Sequence, residues 1–205
     1  MSDTQPLDKA RQARGRRMLI GVFAVFFVPL FGAWIWFANV DDWRPTGSNN
    51  NGELIVPARP LTEPRMVTLQ GEQLGGESME RSWTMVLVAG GVCNARCERN
   101  LYHTRQVRIA LGKDMQRVKR LLLVARNDVF AGRPAIASEH PDLTIAVADG
   151  LVAEIAAATA AMPQQNDAIY LVDPLLNLMM RFSPNLDPRL IIKDLKRLLK
   201  VSRIG

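Results

Sequence analysis

From Met18 to Val40 the chain runs for 23 residues without a charge, MLIGVFAVFFVPLFGAWIWFANV. About 20 apolar residues carry a helix across the ~30 Å hydrocarbon core of a bilayer, so this run is expected to be a transmembrane helix. Pro29 in mid-span is tolerable in lipid, where neighbouring groups re-satisfy the freed backbone. Trp34, Trp36 and Trp43 gather at the C-terminal end, the place of an aromatic interfacial belt. A cleaved signal peptide would have a shorter apolar core of about 7–15 residues and a small-x-small cleavage site. This run ends FANVDDW, with no Ala-x-Ala, so an uncleaved anchor is expected.

Charge then orients the anchor. Lys9, Arg11, Arg14, Arg16 and Arg17 precede the span against Asp3 and Asp8, and Asp41 with Asp42 follow it. The positive-inside rule places the N-terminus in the cytoplasm and everything after residue 40 outside, which in a bacterium is the periplasm. The formal net charge of +6 therefore divides: five basic and two acidic residues before the span account for half of it. Residues 187–205 carry six basic and two acidic side chains, a basic terminal helix. No basic surface interleaved with aromatics is present, so nucleic acid is not an expected partner.

Four segments are expected: a cytoplasmic tail over 1–17, the transmembrane helix over 18–40, a linker over 41–64 and one domain over 65–205. The linker, DDWRPTGSNNNGELIVPARP and beyond, is rich in Asn, Gly and Pro and shows no helical period. Within the domain, WTMVLVA (83–89) is a short apolar run closed by Gly90-Gly91 and suits a buried strand. A helix is expected over 95–116, with Leu101, Thr104, Leu111 and Met115 at roughly helical spacing. Strands follow at 118–124, 143–147 and 168–172, with a short helical patch before Pro141 and an alanine-rich helix over 151–161. Asn177–Phe182 closes a hairpin. Asp187 caps a last helix with Pro188 at its first position and Ile191, Leu195 and Leu198 along one face. Strands alternating with helices and a closing hairpin describe an α/β three-layer domain.

The chain's two cysteines, Cys93 and Cys97 in VCNARC, fall just beyond the carboxyl end of the first of these strands, where α/β sheets place their sites. A Cys-x-x-x-C pair at a strand-to-helix turn brings both sulfurs within reach of each other. The helix N-terminus, with Arg96 and Arg99, favours thiolate over thiol. Thiolates attack disulfides, and they are also the soft ligands Cu(I) prefers. Cys93 and Cys97 are thus candidates both for a redox pair and for Cu(I) ligands. The bland alternative is a stabilising disulfide in an oxidising compartment. Closing about five residues is worth roughly 2 kcal/mol in the chain-entropy model, against ~4.7 for a hundred-residue loop, so the spacing is a poor one for stability alone. His103 lies about 240° round the helix from Cys97 and reads as a surface or supporting residue, and His140, preceding Pro141 in a loop, reads as solvated. Ser-His-Asp sets, phosphate loops and zinc spacings are absent.

An anchor, a strand entering Cys-x-x-x-C, and the late strand YLVDP (170–174) together resemble the Sco/SenC family. The segments GELIVPARPL (52–61) and LYHTRQVRIALGKDMQRVKRLLLV (101–124) resemble a divergent sub-branch of it. The resemblance covers roughly residues 50–205. It implies a thioredoxin-like fold and a copper or thiol role in cytochrome c oxidase assembly. The implied partners are an inner membrane and a respiratory oxidase subunit or copper chaperone. Sco proteins add a histidine to the two cysteines, about five residues before the Tyr-Leu strand. That position is Gln165 here, so the third copper ligand is unassigned. The prolines that flank the family's cysteines are replaced by Val92 and Glu98, and thioredoxin's cis-proline position by Asp167. An assembly scaffold whose disulfide is only structural is the remaining alternative.

Overall fold

The computed structural model describes residues 5–39, 49–62, 64–89, 93–124, 134–162 and 167–204. It divides into two compact units, Met1–Ser48 and Asn49–Gly205. The first contains one helix, α1 (Gln5–Asn39), with Pro29 inside it. Arg14–Trp36 within α1 is long and apolar enough to cross a membrane. Phe23, Phe27 and Phe31 stack along one side at i, i+4 spacing, with centroids 5.5 and 6.1 Å apart. The helix starts at Gln5, so most of the basic tail is helical too.

The second unit runs β1 (Glu53–Pro60), β2 (Met66–Thr68), β3 (Gln73–Leu74), β4 (Trp83–Ala89), α2 (Ala95–Ala110), β5 (Val118–Val124), α3 (Pro134–Glu139), β6 (Leu143–Val147), α4 (Asp149–Ala158), β7 (Ile169–Val172), β8 (Asn177–Phe182) and α5 (Pro188–Val201). Among the described residues these strands form one sheet in the order β1-β8-β7-β4-β5-β6-β2-β3. β4, β5 and β6 are parallel, and β7 runs antiparallel to β4. β4 therefore sits inside the sheet, and every residue of WTMVLVA except the half-buried Val88 is buried.

Alternation along β4 separates two cores, as the period of two requires. Met85 and Leu87 point to the face covered by α2 and α5, where Leu101, Val107, Ile191 and Leu195 pack. Val86 points to the other face, with Leu151 and Ile155 of α4. Helices thus cover both faces, the expected three layers.

Three features depart from expectation. Glu53–Pro60, inside the stretch read as linker, is an edge strand: β1 pairs antiparallel with β8, and Glu53 forms an ion pair with buried Arg181. Two prolines hide it from a strand search, but an edge strand tolerates them. α2 stops at Ala110 rather than 116, because Gly112 takes a positive φ of 60° and the chain tightens into a 3₁₀ turn over Gly112–Arg117. Asp194 lies on the dry face of α5, where an apolar residue is the rule. Its carboxylate accepts from the backbone N–H groups of Asn51 and Gly52 at 2.7 and 2.9 Å and from Asn51 Nδ2 at 2.7 Å. The start of the domain is thereby fastened to its last helix.

Candidate functional site

β4 ends at Ala89, and Cys93 stands just before the helix. Asn94 caps α2, its side-chain oxygen accepting from the N–H groups of Arg96 and Cys97 at 2.9 and 3.0 Å. This is the reason the chain turns into a helix here: Asn supplies an acceptor to donors that have no partner within the helix. The cap puts Cys97 in the first turn, and Cys93 and Cys97 are joined as a disulfide with Cα atoms 5.2 Å apart. The bond is shielded, since Cys93 is 3% exposed and Cys97 not at all. Around it the charges are exposed and mixed, with Arg96 and Arg99 flanking Glu98.

Two ties hold α2 against the sheet. Asn100, one turn past Cys97 and buried, donates through Nδ2 to the carbonyl of Asp167 at 2.7 Å. Asp167, which the resemblance puts at thioredoxin's cis-proline position, is buried with φ at 67°. Further along, Arg120 of β5 reaches up into the same helix. Its guanidinium donates to the Leu101 carbonyl at 2.6 Å and to Thr104 Oγ1 at 3.1 and 3.2 Å, and pairs with Asp142 at 2.9 Å. Arg108 holds the other Asp142 oxygen at 3.3 Å.

Burial pushes the Arg120 pKa down, and Asp142 opposes this. Burial works to raise the Asp142 carboxyl, yet the Arg120 charge and hydrogen bond hold it below the usual carboxylate range. His140, beside this pair, is lowered by burial first and then by the charges of Arg120 and Arg105. It borders a cleft of about 490 Å³ between α2 and α3, whose other wall is Leu101, Tyr102 and Arg105. His140 is thus a buried part of a charge cluster rather than a solvated loop residue.

The two sulfurs expected to meet do meet. His103 is half-buried on α2 with its ring against Tyr102, centroids 6.1 Å apart. Among the described residues no three His, Cys, Asp or Glu side chains converge in a way that could hold a metal ion. Val92 and Gln165 lie outside the described residues. Asn100, Arg120 and Asp142 escaped the sequence reading. The signal available for Arg120 was a charge in the middle of VKRLLLV, on a strand otherwise buried from Leu121 on.

Residues 83–202 match the family model described as the transmembrane-like, thioredoxin-like, C-terminal domain. The chain belongs to that family. The matched residues run from β4 to α5 and include the cysteine turn at the end of β4. No curated protein matches the chain. Among solved structures, copper-bound ScoI of Bradyrhizobium japonicum is similar at 22% identity and a TM-score of 0.50, covering 67% of this chain and 98% of that one. Apo Sco1 of Thermus thermophilus has 14% identity, a TM-score of 0.56, and coverage of 74% and 99%. BsSco, described as a member of the Sco family of cytochrome c oxidase assembly proteins with a disulfide switch, has 12%, 0.53, and 71% and 96%. The Sco/SenC resemblance carried by the residues thus recurs in the fold.

Proposed function

We propose that this chain is an inner-membrane-anchored, periplasmic thiol–disulfide carrier serving cytochrome c oxidase assembly. The observation that carries the reading is the Cys93–Cys97 disulfide at the capped start of α2. In the reduced chain the Cys93 thiolate attacks a partner disulfide, forming a mixed disulfide and expelling one partner thiolate. Cys97 then attacks Cys93, closing the intramolecular bond and releasing the second partner thiolate. Two electrons pass to the partner, whose thiolates take up the two protons that the cysteines gave up. An external dithiol resets the pair. The disulfide switch named for BsSco supports this use of two cysteines in a similar fold.

Copper is the second reading, favoured by the donor set. Reduced Cys93 and Cys97 are soft ligands suited to Cu(I). Glutamine at 165 offers a hard amide oxygen in place of the Sco imidazole, so the third ligand is unassigned. Such a site suits transient handling of the ion as cargo.

Redox titration of the full chain in detergent, with the thiols counted by alkylation, separates these from a scaffold. An exchanging pair is expected between about −120 and −270 mV, whereas a potential below about −300 mV is that of a structural disulfide and would refute the proposal. Cu(I) competition against a coloured chelator, on the reduced chain and on Cys93→Ser, decides whether copper shares the site.

A further inference from the structure

The outer face of α5 is a row of cations with nothing among the described residues to neutralise it. Arg189, Lys193, Lys196 and Lys200 are exposed. At 100° per residue they fall within a stripe about 60° wide and roughly 17 Å long. Among the described residues none of them makes an ion pair. The two carboxylates of the segment are spent elsewhere: Asp187 caps the helix by accepting from Arg189 N, and Asp194 is turned inward onto Asn51 and Gly52. Past the C-terminal end of the stripe, Val201 is 79% and Ile204 48% exposed, with Arg203 also exposed between them. A basic face edged by exposed apolar side chains is the chemistry of a membrane interface.

The tether makes the same point independently. The chain enters the folded domain at α5 itself: Arg197 donates to the Asn49 carbonyl at 2.6 Å, and Asp194 holds the next two residues. Residues 40–48 separate α1 from that fastening, a reach of at most about 36 Å. The covalent link from α1 therefore joins the domain at α5.

We infer that the outer face of α5 docks on the anionic phospholipid headgroups of the membrane in which α1 is anchored. The inference rests on that anchoring and is independent of the chemistry at Cys93 and Cys97. Docking fixes which way the domain faces, and it opposes tumbling on the tether.

The test is acetylation of lysines in the full chain, reconstituted into phosphatidylcholine vesicles or an equal mixture with phosphatidylglycerol. Lys119, on the opposite side of the sheet, is the internal reference. In anionic vesicles Lys193, Lys196 and Lys200 should react about tenfold more slowly than in neutral ones. About 0.5 M NaCl, with a Debye length near 4 Å, should restore the rate. Lys193→Glu with Lys196→Glu, two exposed positions, should return Lys200 to its neutral-vesicle rate. Equal rates in both vesicles overturn the inference, and so does protection in neutral vesicles, which would assign the face to a protein or a second copy. Flotation with the phosphatidylcholine vesicles reports α1 alone: a chain that floats with equal rates loses the docking and keeps the anchor, and one that does not float loses both.

Discussion

Removing the Asp142 carboxylate should cost the domain about 3 kcal/mol, although the residue is neither at the disulfide nor deeply buried. The reason is what it leaves behind. Arg120 is 1% exposed at its side chain, and Asp142, at 2.9 Å, is its paired anion among the described residues. Breaking a buried pair by deleting one partner costs about 3–5 kcal/mol, because an uncompensated charge stays inside. Asp142 is 26% exposed, so water reaches the gap and the lower end of that range applies. For a unit of this size the loss lowers Tm by roughly 6–12 °C. Arg120→Met removes the charge with a flexible chain of similar length, giving up the bonds to Leu101 and Thr104 for about 1–2 kcal/mol. In that background Asp142→Ala should cost almost nothing. Urea denaturation of residues 49–205 for the wild type, both single variants and the double gives the coupling directly. Additive costs, or a loss below about 1 kcal/mol for Asp142→Ala, would refute the view that this pair braces α2 electrostatically.

The same cluster gives the domain a pH dependence. His140 is held below its ordinary 6.5, so the unfolded chain binds the proton more readily, and stability falls as pH drops through and below that value. His140→Phe should flatten the loss between pH 7 and 5 in urea midpoints, leaving the later loss near and below 3.8 that the lowered Asp142 carboxyl imposes. Asp194→Ala removes an acceptor from three N–H groups and should cost about 2–3 kcal/mol. Proteolytic nicking near residues 49–52 should appear at protease levels the wild type survives. For topology, a membrane-impermeant thiol reagent should label reduced Cys93 or Cys97 in intact spheroplasts; labelling only after lysis would put the domain in the cytoplasm.

Elements whose burial is written in local pattern were legible from sequence. The uncharged run foretold α1, WTMVLVA foretold β4, and Asp187-Pro188 with Ile191 and Leu195 foretold α5. The meeting of Cys93 with Cys97 was legible for the same reason, since a spacing of four at a helix start is a local constraint. Residues whose role depends on distant partners were not. β1 looks like linker until β8 is beside it, and Asp194 looks like a solvated helix acid until Asn51 and Gly52 are known to need an acceptor. Arg120 reads as a stray charge within a strand because Asp142 lies 22 residues away in sequence. Apolar periodicity reports burial but says nothing of which polar group answers another across the fold.

The pairing of β1 with β8 and the grip of Asp194 on Asn51 and Gly52 also set an order of events at synthesis. The ribosome delivers Glu53 long before Arg181, and the partner at Asp194 comes later still, 143 residues beyond Asn51. The first strand of the domain must therefore wait, unpaired, until nearly all of the chain has been made. Pro57 and Pro60 suit that wait, because each lacks the N–H that a stray strand would capture. Fastening of α5 is the last step available: a chain cut between residues 98 and 176 keeps α1 and both cysteines but has no strand for β1 to pair with, and one cut between 183 and 193 has that strand but not the Asp194 clasp.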